Sequence, residues 1–218
     1  MIVTIDGPAG AGKSTAAKAL ARRLGFDFLD TGALYRAVTL AGLRAGVACD
    51  AEGALAALLP ELTLDVRSGR VLLNGEDVTE LIRTPEVTRH SRAAADCPAV
   101  REFLNAIQRR CAAGRNIVTE GRDQGTVVFP AAECKFFLTA QPEERARRRH
   151  RELLARGESV TFEEVLRAQN ERDARDAARA IAPLVPAADA IVVDSTDLTA
   201  EQLVDLLERH VRARMAAG

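Results

Sequence analysis

Short apolar runs alternate along the chain with longer stretches in which apolar residues recur at helical spacing. Runs at Ile2–Asp6, Phe26–Asp30, Ile117–Glu120, Lys135–Thr139 and Ala190–Asp194 predict five strands. The helical periods between them predict an α/β fold, a parallel sheet covered by helices. In the first helix Ala17, Leu20, Ala21 and Leu24 fall at i, i+3, i+4 and i+7, so that face is predicted to pack on the sheet. Pro98 and Pro142 stand where a first helical residue belongs, and Thr161-x-x-Glu164 and Thr199-x-x-Gln202 read as capping boxes.

One segment breaks this rhythm. Leu62–Val66 and Val71–Val78 are β-prone, Ser68-Gly69 lies between them and Asn74-Gly75 follows within the second run, so a small antiparallel meander is predicted over about 60–80. With no internal repeat and no low-complexity linker, residues 1–218 read as one compact domain. Its core is expected over 1–59, 81–144 and 180–218, with the β insert at about 60–80 and a helical lid at about 145–175.

Composition removes several classes of function. A chain of 218 residues with 47% hydrophobic content can bury a core, and a net charge of -1 offers no global field to draw in nucleic acid or anionic lipid. The expected partners are small molecules, and the expected state is a monomer. Arginine outnumbers lysine 27 to 3, so a lone arginine is weak evidence of an anion site here. Cys49, Cys97, Cys111 and Cys134 lack the spacing of a zinc site and read as reduced thiols of a cytoplasmic protein. The start of the chain carries no signal pattern, and no apolar run is long enough to span a membrane.

The first chemistry lies between the first strand and the first helix. Gly7-Pro8-Ala9-Gly10-Ala11-Gly12-Lys13-Ser14, followed by Thr15, is a glycine-rich loop opening a helix, whose backbone N–H groups can surround a polyphosphate without a Cβ in the way. Lys13 is expected on the β- and γ-phosphates of ATP or GTP, and the Ser14 hydroxyl on Mg²⁺. The Asn-Lys-x-Asp signature that reads guanine is absent, which disfavours a switch GTPase. A P-loop kinase for a small acceptor is the reading that remains.

Acceptor residues are sought at the carboxyl edge of the sheet, where α/β folds bind ligands. Thr31 and Arg36 follow the second strand, and Gly121-Arg122-Asp123-Gln124-Gly125 follows the third. Arg36 alone reads equally well as a solvated helix residue. Farther on, Arg172, Asp176 and Arg179 fall at i, i+4 and i+7 of a predicted helix, which is either an anion site or an exposed ion-pair ladder. Arg145, Arg147, Arg148, Arg149 and Arg151 crowd the helix before it, and two such arginine-lined arms suit a lid that closes over a transferring phosphoryl.

Taken together, IDGPAGAGKST, LDTGALYR, LNGEDVT, IRTPEV, EGRDQGTVVFP and ERDARDAARAIAPLVPAADAIVVDST resemble the bacterial-type cytidylate kinases over nearly the whole chain. The resemblance implies a P-loop three-layer fold with a five-stranded parallel sheet, the antiparallel insert and the arginine-rich lid. It also implies transfer of the γ-phosphoryl of ATP to CMP or dCMP with Mg²⁺. It assigns Arg36, Arg122 and Arg179 to the acceptor phosphate, Arg172 and Asp176 to sugar and phosphate, and Arg101 and Asp123 to the base, with Thr31 alongside them. Lys13, Arg122, Arg179 and the lid's Arg148 would neutralise the transferring group. Direct in-line transfer is expected, because a phosphate oxygen is already a nucleophile at neutral pH. The chain departs from the family at Arg92, where a Ser is frequent, at Glu120 for Asp and at Thr31 for Ser. The first departure bears on discrimination against UMP. A kinase for UMP, another nucleoside monophosphate or shikimate shares the loop without needing the whole Arg/Asp set.

Overall fold

The computed structural model describes residues 1–51, 53–67, 69–179 and 181–217. In chain order the elements are β1 (Ile2–Asp6), α1 (Lys13–Leu24), β2 (Asp27–Asp30), α2 (Thr31–Arg44), α3 (Ala54–Leu58), β3 (Leu64–Arg67), β4 (Arg70–Leu73) and β5 (Glu76–Asp77). Then follow α4 (Pro85–Asp96), α5 (Pro98–Ala112), β6 (Ile117–Glu120), β7 (Cys134–Thr139), α6 (Pro142–Ala155), α7 (Phe162–Ala177), β8 (Ile191–Asp194) and α8 (Ala200–Ala217). The five strands expected from the apolar runs form a sheet of order β2-β6-β1-β7-β8, and β3-β4-β5 form a second, antiparallel one. The chain divides into two units, Met1–Phe26 with Asn116–Gly218, and Asp27–Arg115.

In the first unit β1 lies between β6 and β7, parallel to both, with Val3 opposite Val118 on one side and Cys134 on the other. Val3, Thr4 and Ile5 are all fully buried, as parallel strands covered on both faces require. Helix α1 turns Ala17, Leu20 and Ala21 inward as its spacing predicts, while Leu24 is only half-buried because the helix is already ending there. Gly25 takes a left-handed φ of 68°, and the amide of Phe26 donates to the carbonyl of Ala21 at 2.9 Å. That bond explains why β2 begins at Asp27 and not at Phe26. Ala190 likewise falls outside β8, because its amide donates to Ala187 in a turn.

The capping signals act as read. Thr161 and Glu164 exchange side-chain and backbone bonds at the start of α7, Thr199 and Gln202 do so before α8, and Pro98 and Pro142 open α5 and α6. In the second unit the meander pairs Leu64 with Leu73 and Val66 with Val71. Asn74 (φ 50°) and Gly75 (φ 85°) make the left-handed pair that a tight β4–β5 connection needs. Leu64, Val71 and Leu73 face inward onto Leu34 and Val38 of α2 and Leu104 of α5, which form the core of that unit. Among the described residues no helix is long and apolar enough to cross a membrane.

Candidate active site

The loop Gly7–Gly12 leaves β1 and enters α1 with left-handed φ at Gly10 (77°) and Gly12 (87°). Alternation of left-handed residues with an ordinary one between them turns successive amides to one side, which is a nest for an anion at a helix N-terminus. The Lys13 side chain is buried against this loop, its Nζ donating to the carbonyl of Pro8 at 2.7 Å. Burial, and next the charge of Arg122, push its pKa down to about 7. An ammonium so placed is short of negative charge, and a polyphosphate supplies it. The Ser14 hydroxyl donates to Glu120 Oε1 at 2.8 Å, bringing a hydroxyl and a carboxylate together at the mouth of the loop.

Behind the loop, Asp6 fixes the turn that carries Arg122 and Asp123. Its two carboxylate oxygens accept from the amides of Gln124 (2.9 Å) and Gly125 (2.7 Å). The turn expected at Gly121–Gly125 bends over its first three residues and runs into a single π-helical turn over Gln124–Val128, closed by Phe129 N–H donating to Gln124 O at 2.7 Å. Burial raises the pKa of Asp6 to about 6, against the lowering effect of these two amides. A folded-state pKa above the unfolded 3.8 means that the folded state binds the extra proton between the two values. The contribution of Asp6 to stability is therefore complete below about pH 4 and declines as pH rises through about 6, by about 3 kcal/mol at most. Denaturant unfolding of wild type and Asp6→Asn from pH 4 to 7 should show this decline in the wild type alone. Parallel curves would remove the assignment.

Arg122 pairs with Asp176. Its Nε donates to Asp176 Oδ2 at 3.3 Å, Arg179 donates to Asp176 Oδ1 at 2.8 Å, and Arg172 stands 3.9 Å from the same carboxylate. Three guanidinium groups thus surround one carboxylate that is 10% exposed, and their forked donors are of the kind that bind a phosphate. The helical stripe expected over Arg172, Asp176 and Arg179 is corrected in one respect. Helix α7 ends at Ala177, so Arg179 reaches back to Asp176 from the turn beyond it.

In the second unit Arg36 donates to Asp30 Oδ2 at 3.4 Å, and Arg83 lies 3.6 Å from the same oxygen. The other oxygen of Asp30 caps α2 at the amide of Ala33, and among the described residues the buried Nε of Arg36 has no hydrogen-bond partner. Thr31 is the buried first residue of α2. Arg101 is buried with its guanidinium 5.9 Å from the ring of Tyr35, donating to the carbonyl of Ala95 at 3.0 Å. Arg92, the departure from the family pattern, makes an exposed pair with Asp96 on α4.

A family model described as cytidylate kinase matches residues 3–213. The chain belongs to the cytidylate kinase family. A cytidylate kinase of Rhodopirellula baltica is 51% identical over 218 residues, spanning 100% of this chain and 95% of that protein. Another, of Geobacter sp. strain M21, is 49% identical over 222 residues with the same two coverages, 100% and 95%. The solved structure of a shikimate kinase from Bacteroides thetaiotaomicron aligns over 97% of this chain and 98% of its own with a TM-score of 0.52. At 16% identity that is a likeness of fold.

Each of the arginines that crowd α6 has a protein acceptor. Arg147 and Arg151 pair with Glu144, and Arg149 pairs with Glu152. Arg148, expected on the transferring group, donates here to Glu144, to the hydroxyl and carbonyl of Ser195 and to the carbonyl of Thr196. Arg145 is buried on Ala140, Ala9 and Asp173. Sequence reasoning did not single out Asp6, Asp30, Arg83, Asp173 or Ser195, each of which bonds or pairs with a group described above within its own unit. The capping position of Asp30, directly before Thr31, is the one signal that could have pointed to any of them.

Proposed function

We propose that the protein transfers the γ-phosphoryl of ATP to CMP or dCMP, producing ADP and CDP or dCDP, by direct in-line displacement. The observation that carries this reading is electrostatic. The charges of Arg122 and Arg172, both at the Asp176 cluster, act on the buried Lys13 of the phosphate loop. A loop for donor phosphates and a cationic cluster for an acceptor phosphate therefore share one field, and bringing the two phosphates together is the main difficulty of phosphoryl transfer. Lys13 meets the β- and γ-phosphates, and Arg122 and Arg179 neutralise charge on the acceptor side.

Asp176 accepts from the sugar hydroxyl, with Arg172 beside it, and Arg36 and Thr31 serve the acceptor phosphate. Cytosine offers an amino donor and acceptors at N3 and O2, which suits the carboxylate of Asp123 and the guanidinium of Arg101. Uracil reverses the pattern at N3 and at the 4-position, while its O2 remains an acceptor. The Ser14 hydroxyl with Glu120 is an all-oxygen pair that fits Mg²⁺, a cation held by one or two protein oxygens beside phosphate and water. Bound there, the cation would neutralise charge on the β- and γ-oxygens. The four cysteines are unpaired, which agrees with action in the cytoplasm.

Coupled ADP production with Mg-ATP and CMP, dCMP, UMP, AMP, GMP or shikimate, one at a time, tests the reading. CMP and dCMP should give turnover at least about tenfold above UMP. ADP release that ignores the acceptor would sink the kinase reading, and equal rates with UMP would discard the roles of Arg101 and Asp123.

A further inference from the structure

We propose that α6 clamps the phosphate loop from its outer side, with Arg145, and Ser195 held by Arg148, as positioning residues for the donor nucleotide. The argument starts from peptide geometry. In a trans peptide the C=O and N–H point in opposite directions, and no described peptide bond is cis. For the amides of Gly10 and Gly12 to face a phosphate, the carbonyls of Ala9 and Ala11 must therefore face away from it. A carbonyl turned into protein without a donor is costly, and a peptide that flips to find one takes its N–H out of the nest.

Both carbonyls have donors. Arg145, whose side chain is 6% exposed, donates from Nη1 to Ala9 O at 3.1 Å and from Nε to Ala140 O at 2.9 Å, and it pairs with Asp173 of α7. Its stem also seats the loop, since a Cβ on Gly10 would come within 3.0 Å of Arg145 Cβ. The buried Ser195 hydroxyl lies 3.1 Å from Ala11 O and 3.1 Å from Thr139 O. Thr139 O already accepts the Ser195 amide at 2.8 Å. Arg148 Nη1 donates to the hydroxyl oxygen at 3.2 Å, which occupies a lone pair and leaves the proton to be shared between Ala11 O and Thr139 O. Arg148 Nη2 fixes the Ser195 carbonyl at 2.6 Å. Residues three apart on one helix thus reach the two alternate carbonyls of the loop, one directly and one through a serine.

The inference rests on the donor reading of the loop, and it separates positioning from catalysis at Arg148. The loop holds donor phosphates alike in ground and transition states, so weakening the clamp should weaken ATP binding and leave kcat nearly unchanged. Isothermal titration of Ser195→Ala and Arg148→Ala with Mg-ATP, in the absence of any acceptor, should show affinity lowered roughly three- to fivefold. In steady state Ser195→Ala should raise the KM for ATP by the same factor, with the KM for CMP and kcat within about twofold of wild type. Arg145→Lys, which keeps the charge but loses the forked reach, should weaken ATP about tenfold.

A fall in kcat for Arg148→Ala at unchanged ATP affinity would overturn the clamp and restore that arginine to the transferring group. An equal rise in both KM values with a lowered Tm would reduce the network to general stability and also overturn it. Wild type that binds ATP but ignores CMP would remove the kinase reading alone, and ATP affinity would still decide the clamp.

Discussion

Lys13→Met is expected to lower kcat by about 10²–10³-fold while the protein stays folded, the loss found when one preorganised charge is taken from a developing anion. The side chain is buried, so an unbranched apolar chain of similar length fills its place without leaving a void. Stability should even gain below neutrality. Burial and the Arg122 charge hold the Lys13 pKa at about 7 against 10.5 in the unfolded chain. The unfolded state binds more protons between those values, so wild-type stability rises with pH across that window and the methionine variant lacks that rise. Polyphosphate reverses the shift by returning the proton to Lys13. At about pH 8, ATP binding should take up most of one proton in the wild type and none in the variant. Calorimetry in buffers of different ionisation enthalpy measures that uptake. A folded Lys13→Met protein that turns over within tenfold of wild type would end the assignment of Lys13 to the transferring group.

What the sequence made legible was decided by reach along the chain. The capping boxes at Thr161 and Thr199 and the Asn74-Gly75 turn are each complete within about four residues, and all appear as read. The buried faces of α1 and of the meander follow from periods of 3.6 and 2. The limits of α7 were less legible. The helical stripe of Arg172, Asp176 and Arg179 continued in sequence beyond Ala177, but Leu184 N–H donates to the carbonyl of Asp176 at 3.0 Å, and the chain turns there.

The side chains of α6 were the least legible, for a different reason. Five arginines within seven residues look like unbalanced charge when read along the helix, and 27 arginines in the chain blunt any single one as a signal. Glu144 and Glu152 of the same helix balance three of them, but Arg145 and Arg148 also find acceptors far along the chain. Asp173 lies 28 residues from Arg145, the Ala9 carbonyl lies 136 residues from it, and Ser195 lies 47 residues from Arg148. Pairings of that separation are products of the tertiary fold, so no local pattern announces them. Asp6 belongs with these, since its carboxylate serves amides 118 and 119 residues away.

Gly7→Ala should be the most damaging single methyl in the molecule, abolishing soluble expression or lowering Tm by about 10 °C or more. Gly7 has a φ of 141°, and an ideal Cβ built on it would lie 2.0 Å from the carbonyl oxygen of Leu138 in β7. That oxygen belongs to a buried central strand, so neither partner can give way without moving the sheet. Gly12 is the internal comparison. Its φ of 87° also disfavours a side chain, but a Cβ there would meet only Leu203 Cδ2, at 3.7 Å. Backbone strain alone costs about 1–3 kcal/mol, or about 2–12 °C for a chain of this size, and leaves a folded protein with a loosened nest. Thermal unfolding of the two variants side by side separates close approach from conformational strain within one motif. Equal losses would mean that φ governs both positions and that the contact with Leu138 carries no extra penalty.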